Sequence, residues 1–266
     1  MKKNKDAQIY ILAHRKSKIE ENSLYTPLQI GASYTKKDIY PLKDNQYKDN
    51  ISSLNPLYCD VCGTYYIYKN LLKEKYIGVA GVRRYLDINK KEDFDSIFKN
   101  YDIILPNYIE LNSSIIEQYS ICHNKNDIAL VTNIINEYFP QYLNTWNKLD
   151  KIYAYNCYLT KKEIFQDYCK FLFFILNKLF KELNINTLED AKKHILNSYN
   201  DGLYDNSRFN PIYPSQQDFL NYQLNIGGFL QERLLTLYVV HNKLNILHRN
   251  IIFIENYQIF INYEEN

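Results

Sequence analysis

The sequence predicts an α/β fold built on a parallel sheet, and three observations lead there. Over roughly the first 110 residues, short β-prone apolar runs alternate with helix-like segments, the pattern of strands joined by crossover helices. The opening run, "QIYILAH" at 8–14, is apolar through Ile9, Tyr10, Ile11 and Leu12 and then stops on polar residues. A buried strand ending this way often leads to a ligand site at its C-terminal end. Finally, 266 residues with 46% hydrophobic content suffice for a sizeable core, as one large domain or two small ones.

Taken in order, 8–14 is a strand, "LQIGASY" at 28–34 is a second short one, and 35–50 is polar and turn-rich. Asn55 followed by Pro56 reads as an N-cap with proline at the first helical position. Apolar residues then recur to about Leu72, predicting one helix of four to five turns through Cys59 and Cys62. "YIGVAGVRRYLDI" at 76–88 predicts a strand that turns abruptly basic at Arg83 and Arg84. "FDSIFKNY" is a short helix and "DIILP" at 102–106 a fourth strand. From 111 to 148 the chain is helical in pieces, and "KIYAYNCYL" at 151–159 alternates like a strand. Residues 160–183 predict a strong helix, with Thr160 and Glu163 as a capping box and an unbroken apolar run, Phe171 to Leu176, that reads as core. Residues 197–217 read as a loop, 227–243 as a helix opened by two glycines, and "ILHRNIIFI" at 246–254 as a closing strand.

Bulk properties exclude several classes. The net charge is +2, with 32 basic and 30 acidic residues, which argues against a dedicated nucleic-acid binder. No run reaches the ~18 apolar residues of a membrane-spanning helix. The basic "MKKNKD" has no apolar stretch behind it, unlike a signal peptide. A cytoplasmic protein with reduced, mostly buried thiols is expected from its five cysteines. No glycine-rich dinucleotide fingerprint, phosphate-binding P-loop or nucleophile elbow is present.

Each residue with chemical potential has a plainer reading beside it. Arg83 and Arg84 close a buried strand, where guanidinium forks match phosphate oxygens; structural ion pairs with Asp49 or Asp87 are the alternative. His14 ends the first strand and is either a nucleotide contact or a surface histidine. Asp49 and Asn50 precede the first helix and either meet a ribose, sugar hydroxyl or metal, or make a turn. Glu232 follows a glycine pair at a helix start, as a general base facing a cleft or as an ion-paired surface residue. His123 and Asp127 form only a weak metal signal. Cys59 and Cys62 have C-x-x-C spacing, but no second pair completes a zinc site, so they read as helix thiols.

The segments "IYILAH", "DNIS…NPLYCDVCGTYYIYKN", "YIGVAGVRRY", "DIILP", "KKEIFQDYC" and "GFLQERLL", in this order, resemble a bacterial family long labelled a domain of unknown function. That family is found in capsular and O-antigen polysaccharide biosynthesis, with members assigned as galactofuranosyltransferases. The resemblance implies a GT-A-like fold in one domain over 1–266: a Rossmann-type nucleotide-binding half to about 110 and a helix-rich acceptor half beyond. It implies inverting transfer of galactofuranose or a related sugar, from a donor expected to be UDP-linked, to a surface polysaccharide. The enzyme would be cytoplasmic, or peripheral at the inner membrane face with other capsule enzymes.

The family pattern places a histidine and a tyrosine before Arg-Arg-Tyr. This chain has Gly81 and Val82 there, followed by Arg83, Arg84 and Tyr85. The departure questions a conventional Mn²⁺ or Mg²⁺ site, and the arginines could supply the positive charge instead. On this reading the nucleotide lies over the ends of the first and fourth strands near Ala13, His14, Asp49 and Asn50. Arg83 and Arg84 hold the diphosphate, Glu232 is the base, and Tyr65, Lys69, Tyr85 and Asn156 support the donor. Gly63 is expected at a close packing contact. A non-catalytic assembly protein and a thiol-redox protein are the alternatives.

Overall fold

The computed structural model describes residues 6–17, 23–204 and 215–254. Strands are β1 (Ala7–Ala13), β2 (Tyr25–Gln29), β3 (Tyr76–Gly81), β4 (Arg84–Leu86), β5 (Ile103–Leu105), β6 (Ile109–Glu110), β7 (Lys151–Ile152), β8 (Tyr158–Lys161), β9 (Ile246–His248) and β10 (Ile251–Phe253). Helices are α1 (Ala32–Thr35), α2 (Asn55–Tyr58), α3 (Val61–Asn70), α4 (Phe94–Asn100), α5 (Ile115–Cys122), α6 (Lys125–Tyr138) and α7 (Pro140–Lys148). They continue with α8 (Lys162–Glu182), α9 (Leu188–Asn200), α10 (Gln216–Gln223) and α11 (Ile226–His241).

One sheet runs β2-β1-β3-β8-β5-β9, with β4 and β10 extending it from the end of β3. β1, β2 and β3 are parallel, and so are β5 and β9. β8 is antiparallel to both β3 and β5, so those five strands all point the same way. Their C-terminal ends therefore gather along one edge. The sheet takes strands from both sides of residue 110.

Alternation along β1 shows how the layers form. Tyr10 and Leu12 join a cluster with Val61 and Tyr66 of α3, Phe165 and Leu172 of α8, and Leu230 and Leu234 of α11. Ile9, Ile11 and Ala13 join the opposite cluster, with Phe94 and Phe98 of α4. Both faces are covered, which is why β1 is buried along its whole length. Gly63 of α3 faces β1: a Cβ there would lie 2.4 Å from Leu12 Cδ2 and 2.9 Å from Ile30 Cγ2.

Several sequence expectations change, each for a local reason. The helix expected over 55–72 is two helices, broken where Cys59 takes φ 48° and ψ −123°. Asn55 is its first helical residue rather than its cap. The strand expected over 76–88 is a hairpin turning at Val82–Arg83. The strand expected over 151–159 is interrupted by Tyr155 and Asn156, at φ 80° and 45°. Thr160 caps nothing: it pairs with Ile77 and Ile103 inside β8, and its hydroxyl donates to Asp102 O at 2.8 Å. Of the apolar run in α8, Phe174 is exposed beneath Lys178. The closing strand is two strands that join different partners, β5 and β4. α9 extends to Asn200, and 205–214 of the expected loop lie outside the described residues.

Candidate active site

A cavity of about 260 Å³ opens at the C-terminal ends of β1 and β3. His14 comes from the end of β1, Cys59 and Asp60 from the break between α2 and α3, and Arg83 and Arg84 from the β3–β4 turn. Tyr155 and Asn156 come from the bend before β8, and Glu232 from the second turn of α11. Of the six non-glycine residues with positive φ among the described residues, Cys59, Tyr155 and Asn156 line this cavity. Strained backbone of this kind gathers where side chains must be aimed rather than where chains are merely connected.

The bend at Tyr155 does two things. Its amide donates to Glu232 Oε1 at 2.7 Å. Its ring lies 4.4 Å from the Arg84 guanidinium carbon, a cation–π contact. Glu232 itself is set by the start of α11, where Asn225 accepts the Gly228 N–H at 3.2 Å as an N-cap. A Cβ on Gly228 would meet Asn225 Oδ1 at 2.2 Å, so the cap needs glycine there. Asn156 Oδ1 is buried with no hydrogen-bond partner among the described residues, an acceptor open to a ligand hydroxyl.

Asp60 occupies the N-cap position of α3 but does not cap it; its carboxylate lines the cavity instead. Burial and the neighbouring Glu232 push its carboxyl up to about 6. Glu232 is also raised by burial, though the Tyr155 amide, Arg233 and Arg84 pull it back. Burial thus pushes both carboxyls above the usual carboxylate range. Burial and the charges of Arg84 and Arg15 lower Arg83, while Asp60 opposes this. His14 is lowered by desolvation, then by Arg15 and Arg83, although its exposed edge lets water screen part of that effect. Two carboxylates and two guanidiniums thus face one small space, a setting for binding an oxyanion and moving a proton beside it.

The structure brings together His14, Arg83, Arg84, Asn156 and Glu232 of the residues singled out from sequence. It does not bring the others into the cavity. Asp49 accepts from the Tyr65 hydroxyl at 2.7 Å and pairs with Lys69 at 3.8 Å, forming a surface cluster on α3. The ion pair weighed between Asp49 and the arginines is therefore absent among the described residues. Asn50 spends its side chain on the Tyr47 carbonyl and the Ser52 amide. Ala13 is buried in β1, and Tyr85 is buried edge-on to Tyr25. The fourth strand of the sequence reading, β5, ends away from this cavity. His123 and Asp127 do not meet: His123 stacks on Phe229, and Asp127 pairs with His194 at 2.9 Å.

Asp60 and Tyr155 were missed. Reading 55–72 as one helix hid the turn that aims Asp60, and reading 151–159 as one strand hid the bend at Tyr155. Burial raises both thiols of the C-x-x-C pair, the opposite of what a reactive cysteine needs. No group of three or more His, Cys, Asp or Glu among the described residues is disposed to hold a metal ion. No helix among them is long and apolar enough to cross a membrane.

A family model described as a domain of unknown function (DUF4422) matches residues 8–205. No curated protein matches the chain. Among solved structures, the apo structure of the WbbM bifunctional glycosyltransferase superposes with a TM-score of 0.72 at 22% identity, covering 94% of this chain. This chain spans 46% of that one, about half its length. The likeness establishes a shared mixed α/β fold, with a largely parallel sheet flanked by helices.

Proposed function

The chain belongs to the DUF4422 family, and from that membership and the cavity we propose that it is a glycosyltransferase using a nucleotide-sugar donor. The observation that carries the reading is the convergence of Arg83 and Arg84 with Asp60 and Glu232 at the sheet edge where α/β folds bind ligands. The likeness of its fold to part of a bifunctional glycosyltransferase agrees with it.

In this reading Arg83 and Arg84 hold the donor diphosphate and neutralise the charge that grows on it as the bond to the sugar breaks. Glu232, fixed by the Tyr155 amide, accepts the proton of an acceptor hydroxyl. The freed oxygen attacks the anomeric carbon from the face opposite the diphosphate, which leaves with the bonding electrons. The configuration inverts. Asn156 Oδ1 receives a donor hydroxyl. In this reading the arginines supply counter-charge to the diphosphate. The motif resemblance supports the finer terms: a UDP-linked, galactofuranose-type donor, a cell-surface polysaccharide acceptor, and a cytoplasmic or membrane-peripheral setting.

The test is a transfer assay with Glu232→Gln. Losing a general base lowers turnover by about 10²–10⁴ while donor binding stays intact. Wild-type turnover in that variant moves the base elsewhere. Full activity in excess chelator agrees with charge supplied by arginine, and a strict metal requirement contradicts it.

A further inference from the structure

The sheet edge that carries the cavity also carries a second cleft, of about 530 Å³, where β5 and β9 end. Asp87 follows β4, Asn107 follows β5, His248 ends β9, and Arg249 and Asn250 link β9 to β10. The backbone frame is tight. The Asp87 amide donates to Asn250 O at 2.8 Å and the Arg249 amide to Leu105 O at 2.9 Å. His248 Nδ1 lies 3.1 Å from Pro106 O, and its ring stacks on Tyr153 at 6.1 Å.

The lining has a distinctive chemistry. It contains no aliphatic side chain, only amides, carboxylates, one imidazole and one guanidinium. Arg249 is tied to Glu92 at 3.2 Å, and Glu92 also accepts the Asn89 amide at 2.8 Å, so that wall is braced. Arg249 Nε is buried and without a partner among the described residues. Two carboxylates against one guanidinium disfavour a phosphate or another polyanion. The side chains of Asp87, Asn107 and Asn250 make no hydrogen bond among the described residues and face the cleft. Planar amides and carboxylates supply adjacent donors and acceptors that suit neighbouring sugar hydroxyls, and the imidazole gives a flat face for sugar C–H groups.

The two sites are linked by a short element. Arg84 opens β4 and lines the cavity, while Asp87, three residues on, lines the cleft. At strand rise that is about 10 Å. Resting on the reading of the first cavity as the donor site, we infer that this cleft binds an uncharged saccharide, the acceptor end of the glycan.

The test is saturation-transfer NMR of a panel of methyl hexosides on the full chain. It is run on wild type, on the Asp87→Asn/Asn107→Ala double variant and on Arg83→Ala, with the UDP-induced melting shift measured on each. The expected result is transfer to at least one hexoside on wild type and on Arg83→Ala, and its loss in the double variant, which keeps the UDP shift and is therefore folded. Absence of any hexoside signal from wild type, or a signal that survives the double variant, overturns the inference. A missing UDP shift in wild type beside an intact hexoside signal defeats the donor reading and leaves the saccharide cleft standing.

Discussion

Burial raises both carboxyls of the cavity, but Glu232 receives the Tyr155 amide, whereas among the described residues Asp60 has only the weak Cys59 thiol as a hydrogen-bond donor, at 3.8 Å. In the unfolded chain Asp60 titrates near an ordinary aspartate value of about 3.9, and in the folded chain at about 6. Between those values the folded state binds more protons than the unfolded one. Stability therefore falls as pH rises through that window and levels off above it. Asp60→Asn removes this slope, so its melting temperature gains on wild type more above pH 6 than near pH 4. Melts at the two pH values check it; a constant difference would show Asp60 uncoupled from folding.

At the scale of elements, the break between α2 and α3 and the bend before β8 do the aiming. Cys59 adopts a backbone region in which a side chain costs about 1–3 kcal/mol. Cys59→Gly is therefore expected to keep or raise the melting temperature, whereas a clear loss would show that the thiol's packing outweighs the strain. Gly63→Ala is predicted to destabilise by about 1–3 kcal/mol, because α3 must move off Leu12 and Ile30. Denaturant melts measure this, and a neutral result would mean that α3 has slack. These two devices also show what the sequence could and could not tell. Apolar runs such as 8–14 and 227–243 were legible because burial dictates their composition. The splits at Tyr155 and Arg249 were not, since each follows from a partner distant in sequence: Glu232 capturing the Tyr155 amide, and the separate strand pairings of β9 and β10. Thr160 illustrates the same override, where sheet pairing displaces a capping box that local spacing favours.

For the whole molecule, the parallel strands deliver both the cavity and the polar cleft to one edge, so on the proposed reading a donor and an acceptor approach from the same side. His14, Arg83 and Arg84 were within reach of sequence reasoning because they stand at strand ends, and Glu232 because it follows the glycine pair that opens α11. Asp49, Tyr65 and Lys69 lay near in sequence and in character but pack on the outer part of α3. On the proposed reading the cavity recognises a nucleotide diphosphate through its arginines. Titration calorimetry of UDP into the wild-type chain and into Arg83→Ala/Arg84→Ala tests it most directly. The expected result is binding to wild type, weakened by at least tenfold, about 1.4 kcal/mol, in the double variant that still melts cooperatively. Equal UDP affinity in both proteins, or no binding to wild type, would contradict it.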